Sequence, residues 1–237
     1  MHKLQKKYEN EIKELVKASR LCGEKAYVSS HGGNLSQRVA KNTVIITPTK
    51  LPKAVMKFDD IVIVDMQGKT LFAAENRKAT GETPMHINMF EKRPDLNAII
   101  HSHPPVLTGF AIAHSELLAK PVLPEVVLEV GPVLSVDYAE PLSDELAAAF
   151  DSVLDYSNAF LMKNHGVMIC STEGITRALE FTDMLEAMAV SLVTAQSLGK
   201  VEFLSREDIK NLENVIKIRN MAFPGNPDKV KSLTELY

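Results

Sequence analysis

The sequence contains no tryptophan, few aromatic residues (6%) and only two cysteines among its 237 residues. Cys22 and Cys170 form no Cys-x-x-Cys pair, and each is flanked by apolar or small residues. We therefore expect buried free thiols in a reducing cytoplasm, rather than disulfides or a cysteine metal site. No apolar run approaches the ~20 residues that span a bilayer, and the polar, charged residues 1–10 do not resemble a signal peptide.

An excess of charge of either sign is also missing. The chain has 27 basic and 30 acidic residues, a formal net charge of −3, which gives no reason to expect binding to nucleic acid or to an anionic membrane. With 45% hydrophobic and 24% charged residues, the composition is ordinary for a globular protein. The length fits one domain, and we find no repeat or long linker, so residues 1–237 are predicted to form a single domain.

Hydrophobic periodicity and turn residues predict a mixture of helices and strands. Helices are expected over residues 4–22, 83–91, 106–114, 143–153, 172–198 and 205–221. Strands are expected over residues 35–39, 44–47, 61–65, 69–73, 97–103, 159–162 and 167–170, with one or two more within 121–136. Gly23 is the expected stop of the first helix, and Thr83, Ser143, Thr172 and Ser205 are the expected caps. The hairpin-like neighbours favour an α/β fold with a mixed or antiparallel sheet.

The sharpest local signal is the pair His101 and His103 in one strand. Side chains at i and i+2 of a strand point to the same face, so both imidazoles could reach one ion at about 2.0–2.1 Å. His165, between two apolar runs, could add a third imidazole, and Glu82 an oxygen. Such a set suits Zn²⁺, with Mn²⁺, Fe²⁺ or Co²⁺ as alternatives.

Spacing alone does not bring His165 or Glu82 to the pair, and an isolated His-x-His also occurs as surface or hydrogen-bonded core residues. The remaining histidines are interpreted as structural or exposed. They are His2, His31, His86 and His114. His86, on the helix that follows Glu82, is expected to pack or to cap.

Five short motifs occur in a fixed order over roughly residues 10–200. They are Gly33-Asn34-Leu35-Ser36, Thr47-Pro48-Thr49, Glu82-Thr83-Pro84-Met85-His86, His101-Ser102-His103 and Asn164-His165-Gly166. Each motif is weak by itself, but the ordered set resembles the class II aldolase/adducin family.

The resemblance implies a three-layer α/β/α fold and a homotetramer with active sites between subunits. It also implies that His101, His103 and His165 bind Zn²⁺, and that Glu82 contacts the metal and moves a proton. A glutamate at this position is typical of the family's aldolases, whereas its 4-epimerase has an aspartate.

The resemblance further implies a phosphate site at Gly33, Asn34, Thr49 and Thr80. Backbone N–H groups in glycine-rich turns form anion-binding nests, which gives this assignment a physical basis. The chain departs from the family pattern at Lys50, where glycine is usual, and at Gly81, where serine is usual. Lys50 could add a charge to the phosphate or simply be solvated, and Gly81 can still offer its backbone N–H.

The implied activity is that of a metal-dependent lyase that cleaves a ketose 1-phosphate by retro-aldol reaction through a metal-bound enediolate, as the family's L-fuculose-1-phosphate aldolases do. The alternatives are a sugar-phosphate dehydratase or decarboxylase using the same enediolate, and then a 4-epimerase. A non-enzymatic adducin-like module is disfavoured because adducin heads lack the histidine set.

A second acid or base is also required. In the L-fuculose-1-phosphate aldolases of the family it is a tyrosine from the adjacent subunit, in the segment after His-x-His. Residues 123–129 of this chain contain no tyrosine. Other members have a glutamate in this region, and Glu125 is the best match, with Glu129 as the alternative; both could equally be ordinary strand-edge or surface carboxylates.

Overall fold

Eight strands form one mixed sheet in the computed structural model, which describes residues 1–237. The strands are β1 (Asn34–Ala40), β2 (Thr43–Ile46), β3 (Val62–Val64), β4 (Thr70–Phe72), β5 (Ala98–Ser102), β6 (Val133–Val136), β7 (Ala159–Met162) and β8 (Gly166–Ser171). Their order across the sheet is β4-β3-β2-β1-β5-β8-β7-β6. Every neighbouring pair is antiparallel except β6 and β7, which confirms the predicted mixed sheet.

Eight α-helices surround this sheet. They are α1 (Lys3–Lys7), α2 (Glu9–Glu24), α3 (Thr83–Lys92), α4 (Pro105–Ile112), α5 (Pro124–Glu129), α6 (Asp144–Ala148), α7 (Ile175–Leu198) and α8 (Arg206–Arg219). Short 3₁₀ turns occupy Lys53–Val55, Phe58–Asp60, Leu117–Ala119, Leu154–Tyr156 and Leu233–Glu235. None of the helices combines the length and the apolar character needed to cross a membrane.

Both faces of the sheet are covered, as a three-layer fold requires. Successive strand residues point to opposite faces, so Ile100 joins the apolar core under α2, α4 and α7, while Ile99 joins the core under α3 and α6. The same alternation turns His101 toward the α3 side. The sheet therefore presents His101 to the helix that begins beside Glu82.

The segment 121–136 holds one strand, within the predicted one or two, and a helix that was not predicted. Residues 124–129 form helix α5 rather than a strand, and only Val133–Val136 of the expected strand region is extended. Pro124 suits the first turn of a helix, and Val127 donates its backbone N–H to the carbonyl of Leu123. Val127 packs with Ile209 and Ile216 of α8 in a small separate core, and this tertiary packing favours the helix.

The ends of the first and third helices also differ from expectation. The opening helix is interrupted at Tyr8 and continues through Gly23 to Glu24, because Lys25 still donates to the carbonyl of Leu21. Helix α3 begins at Thr83 as predicted, but Glu82 occupies the N-cap position. The Thr83 hydroxyl donates to the Thr80 carbonyl instead of capping the helix.

Two of the four predicted caps are confirmed. Ser143 and Ser205 accept backbone N–H bonds at the starts of α6 and α8. Helix α6 nevertheless ends at Ala148, short of residue 153. Helix α7 starts at Ile175, and Thr172 is not its cap, because the Ser171 hydroxyl accepts from the N–H groups of the two residues before the helix.

Candidate metal centre

Three histidines that are distant in sequence meet at one end of the sheet. His101 lies in β5, His103 follows directly after that strand, and His165 lies in the turn between β7 and β8. Strands β5 and β8 are antiparallel neighbours, with Ser102 paired to Val167, so the turn that carries His165 lies beside the end of β5. The topology thus brings together residues that spacing alone could not connect.

The imidazole nitrogens converge on a common space. One ligand nitrogen from each of the three rings lies within 4.8 Å of the other two. Nε2 of His103 is 3.1 Å from Nε2 of His101. Two imidazole nitrogens bound to one tetrahedral ion at 2.0–2.1 Å would be separated by about 3.3 Å. The cluster therefore fits a single divalent cation.

The protonation of the rings also suits a cation. Nδ1 of His101 donates to the Val167 carbonyl at 3.0 Å, which leaves the Nε2 lone pair facing the other two rings. Burial lowers the pKa of each of the three histidines, that of His101 most strongly. All three are therefore neutral at neutral pH, the form in which imidazole binds a metal ion.

A carboxylate faces the same space from the start of α3. The two oxygens of Glu82 lie 3.7 Å from Nε2 of His101 and 3.8 Å from Nε2 of His165. Glu82 is 8% exposed, and Nδ2 of Asn34 donates to it at 2.6 Å. The four side chains provide three nitrogen donors and one oxygen donor, a set that suits a divalent metal.

Two glycines allow the backbones around this centre to approach closely. A Cβ at Gly166 would lie 2.6 Å from the Ser102 carbonyl and would overlap the His103 ring. Gly33 has φ of +67°, and a Cβ there would lie 2.7 Å from the His101 carbonyl. A side chain at Gly166 would push the turn that carries His165 away from His103. A side chain at Gly33 would push the turn before Asn34 away from His101.

The centre lies in a pocket of about 390 Å³. Ten predicted site residues line it, namely Gly33, Asn34, Thr49, Lys50, Thr80, Gly81, Glu82, His101, His103 and His165. Thr49 and Lys50 are exposed at the rim, whereas Thr80 and Asn34 are buried. Leu142 also lines the pocket, close to the α-carbon of Gly81.

A buried lysine joins two of the loops around this pocket. Lys53 is 1% exposed, and its ammonium donates to the carbonyls of His31 and Leu51 at 3.2 and 3.3 Å. No carboxylate pairs with it within 4 Å. Desolvation lowers the pKa of Lys53 to about 8.

A family model described as "Class II Aldolase and Adducin N-terminal domain" matches residues 13–193, more than half of the chain. The chain belongs to the class II aldolase and adducin family. Its histidine cluster and Glu82 all fall within the matched residues.

Enzymes are prominent among the relatives in this family. The chain is 30% identical over 203 residues to a 3-oxo-tetronate 4-phosphate decarboxylase of Haemophilus influenzae, covering 84% of this chain and 94% of the relative. It is 32% identical over 179 residues to an L-fuculose phosphate aldolase of Methanococcus maripaludis, covering 76% and 94%. The family membership and these relatives identify the chain as an enzyme of the lyase type.

Solved structures of the family share the fold. YgbL of Klebsiella pneumoniae superposes with a TM-score of 0.78 and 26% identity, covering 86% of this chain and 98% of YgbL. An L-fuculose 1-phosphate aldolase superposes with a TM-score of 0.77 and 25% identity, covering 88% and 96%. The class II aldolase fold predicted from the sequence motifs is thereby confirmed.

Glu125 and Glu129 lie apart from this centre within one chain. Glu125 is exposed in the first turn of α5 and does not line the histidine pocket. Glu129 forms an ion pair with Arg177 and lines a different pocket, of about 450 Å³. A role for Glu125 in catalysis requires a neighbouring subunit and stays a prediction.

The structure adds residues that the motifs did not assign to the site. Ser36 and His86 are fully buried and are connected to Glu82 through Asn34. Two spacings in the sequence indicate that these side chains share a face. Asn34 and Ser36 are i and i+2 on a strand, while Glu82 and His86 are i and i+4 at the start of a helix. Nothing in the sequence around Lys53 distinguishes it from a surface lysine.

Proposed function

We propose that this protein is a metal-dependent aldehyde-lyase that cleaves a ketose 1-phosphate by retro-aldol reaction through an enediolate. The observation that carries the proposal is the position of the three-histidine cluster and Glu82 in one pocket with Gly33, Thr49 and Thr80. A cation-binding end and an anion-binding end of one small pocket match a sugar phosphate better than an unphosphorylated sugar.

The cation end is formed by His101, His103 and His165, with Glu82 in or beside the coordination sphere. Zn²⁺ is favoured because it prefers four nitrogen and oxygen ligands, with Mn²⁺, Fe²⁺ or Co²⁺ as alternatives. A bound divalent ion would act as a Lewis acid toward the carbonyl and the neighbouring hydroxyl of the substrate. The histidines serve this role as neutral donors at the end of β5 and in the turn between β7 and β8.

The anion end is formed by the loops around Gly33, Thr49 and Thr80. The Thr49 hydroxyl and the Lys50 ammonium are exposed at the rim, where a phosphate could reach them. Asn34 uses one N–H for Glu82, which leaves its second side-chain N–H available for the phosphate. Gly81 would contribute its backbone N–H.

In the cleavage direction a base removes the proton from the C4 hydroxyl. The C3–C4 bond then breaks, releasing an aldehyde and leaving its electron pair on an enediolate. Glu82 takes up a proton from solvent and delivers it to C3 of the enediolate, which gives a three-carbon ketone phosphate, while the proton taken from the C4 hydroxyl returns to solvent. For the base at the C4 oxygen we propose Glu125 of an adjacent subunit in a homotetramer, since Glu125 is exposed in the single chain.

A decarboxylase acting on a 3-oxo acid phosphate is the second candidate. It is supported by the 30% identity to the Haemophilus influenzae 3-oxo-tetronate 4-phosphate decarboxylase and by the lack of tyrosine in residues 123–129. Loss of CO₂ from such an acid leaves its electron pair on the same type of enediolate. The same Glu82 would then deliver the proton.

Turnover of a substrate panel separates the two candidates. Purified protein supplied with Zn²⁺ or Mn²⁺ would be incubated with ketose 1-phosphates and with 3-oxo acid phosphates, and the products would be identified by mass. Retro-aldol cleavage predicts a three-carbon ketone phosphate together with an aldehyde. Release of CO₂ with no aldehyde would favour the decarboxylase, and no turnover of either class would contradict the proposal.

A further inference from the structure

A continuous chain of side-chain hydrogen bonds leads from the sheet to Glu82. The Ser36 hydroxyl is 2.7 Å from Nδ1 of His86, and Nε2 of His86 is 2.5 Å from Oδ1 of Asn34. Nδ2 of Asn34 is 2.6 Å from Oε2 of Glu82. Each link uses a different pair of polar atoms, so His86 and Asn34 each contribute one atom to one link and a second atom to the next.

The carboxylate at one end fixes the direction of the whole chain. An ionised carboxylate can only accept, so the Asn34 amide must present Nδ2 to Glu82 and Oδ1 to His86. The reverse amide orientation would place two oxygens 2.6 Å apart without a proton between them. His86 must therefore carry its proton on Nε2, and its Nδ1 accepts from the Ser36 hydroxyl.

The chain is shielded from water along its length. Ser36 and His86 are 0% exposed, and Asn34 is 4% exposed. A partner removed from such a buried network leaves an unsatisfied polar group rather than a new bond to water. Burial also lowers the pKa of His86 to about 3, so the ring stays neutral and keeps the single N–H that the chain requires.

We propose that His86 is a positioning residue for Glu82: through Asn34 it fixes the carboxylate between His101 and His165. Glu82 sits at the N-cap, where a short side chain usually bonds to its own helix, but it makes no such bond here. Its one side-chain hydrogen bond is to Asn34, so the orientation of the carboxylate depends on the amide that His86 holds. The catalytic part of this inference rests on the proposed function of Glu82.

Three variants of α3 test the role of His86. His86→Leu removes the donor with an apolar side chain, and His86→Gln restores an N–H that can reach Asn34. Met89→Leu is the matched control, because Met89 is equally buried on the same helix but belongs to the apolar core. We expect His86→Leu to lower kcat by about 10- to 100-fold, the usual effect of losing an outer-shell partner. His86→Gln should recover most of kcat, and Met89→Leu should match the wild type.

A second readout does not need turnover. Titration with Co²⁺, followed by absorption, should show affinity weakened by about 10- to 100-fold in His86→Leu and largely restored in His86→Gln. Nitrogen NMR of the metal-free protein should show His86 as the Nε2–H tautomer. If no substrate is turned over, the proposed function fails, while the Co²⁺ affinity and the tautomer still decide the inference about His86.

Three results would overturn the proposal. They are a folded His86→Leu protein with wild-type kcat and Co²⁺ affinity, equal impairment of His86→Leu and His86→Gln, and an Nδ1–H tautomer at His86. If His86→Leu does not fold, Ser36→Ala takes its place, since it removes only the last hydroxyl. It should then lower kcat and Co²⁺ affinity by a few-fold, while His86 keeps the Nε2–H tautomer that Asn34 imposes; unchanged kcat and Co²⁺ affinity would equally overturn the proposal.

Discussion

Replacement of Lys53 by methionine should change how the stability of this protein depends on pH. Lys53 is 1% exposed, and its ammonium contacts two carbonyls but no carboxylate. The folded protein therefore carries an uncompensated buried charge next to the pocket. Methionine keeps a flexible chain of similar length and removes the charge at every pH.

The size of the effect follows from the pKa of Lys53, which desolvation lowers from 10.5 to about 8 in the folded state. Between these values the unfolded chain holds a proton that the folded protein has released, so stability rises with pH. At about 1.4 kcal/mol per pH unit, the full gain is about 3 kcal/mol, reached near pH 10.5. Below pH 8 both states are protonated and the gain is absent.

Urea unfolding at a series of pH values from 7 to 10.5 measures this effect. Other groups titrate in the same range, including Cys22, whose pKa is raised to about 12 by burial, so the quantity to follow is the wild-type stability minus that of Lys53→Met. We expect this difference to rise in favour of the wild type by about 3 kcal/mol. The control is Lys210→Met, at an exposed helical lysine. Parallel curves for wild type and Lys53→Met would refute the reasoning.

Further predictions concern Gly166 in the turn beside the metal centre, Glu125 as the second acid or base, and Thr49 in the proposed phosphate site. Gly166→Ala should weaken Zn²⁺ binding at least tenfold in a chelator competition, because the new Cβ would lie 2.6 Å from the Ser102 carbonyl; unchanged affinity would contradict the packing argument. Glu125→Gln should lower kcat by roughly 10²–10⁴-fold with metal content unchanged, whereas Glu129→Gln should stay near the wild-type rate; the reverse result would assign the role to Glu129. Thr49→Val should raise the inhibition constant of inorganic phosphate by roughly 10- to 100-fold, the loss of one hydrogen bond to a charged group, and equal inhibition would exclude Thr49 from the phosphate site.

The strands were predictable because β-branched and apolar residues alternate between two buried faces. β2 and β3 place Val44, Ile46 and Val62 in one core, and Ile45 and Ile63 in the other. Helix α5 was missed because its short apolar run has no helical period long enough to distinguish it from a strand. Its packing against α8, which lies about 80 residues later, cannot be read from local sequence.

Some residues of the candidate site could be predicted from local sequence, and others could not. His101 and His103 could be paired from strand geometry alone, whereas His165 and Glu82 required the family motifs to connect them. The role of His86 depends on the orientation of the Asn34 amide and on its contact with Ser36 in β1. Only the folded structure shows these contacts. Lys53 could not be recognised because a buried and a solvated lysine have the same sequence signature.

Metal content and cleavage measured together on His103→Ala and the wild type test the central claim most directly. The wild type should hold about one divalent ion per chain and release a three-carbon ketone phosphate from a ketose 1-phosphate. His103→Ala should remain folded but lose most of both the metal and the cleavage activity. A His103→Ala protein that keeps full metal occupancy and wild-type cleavage would contradict the assignment of His101, His103 and His165 as the catalytic metal site.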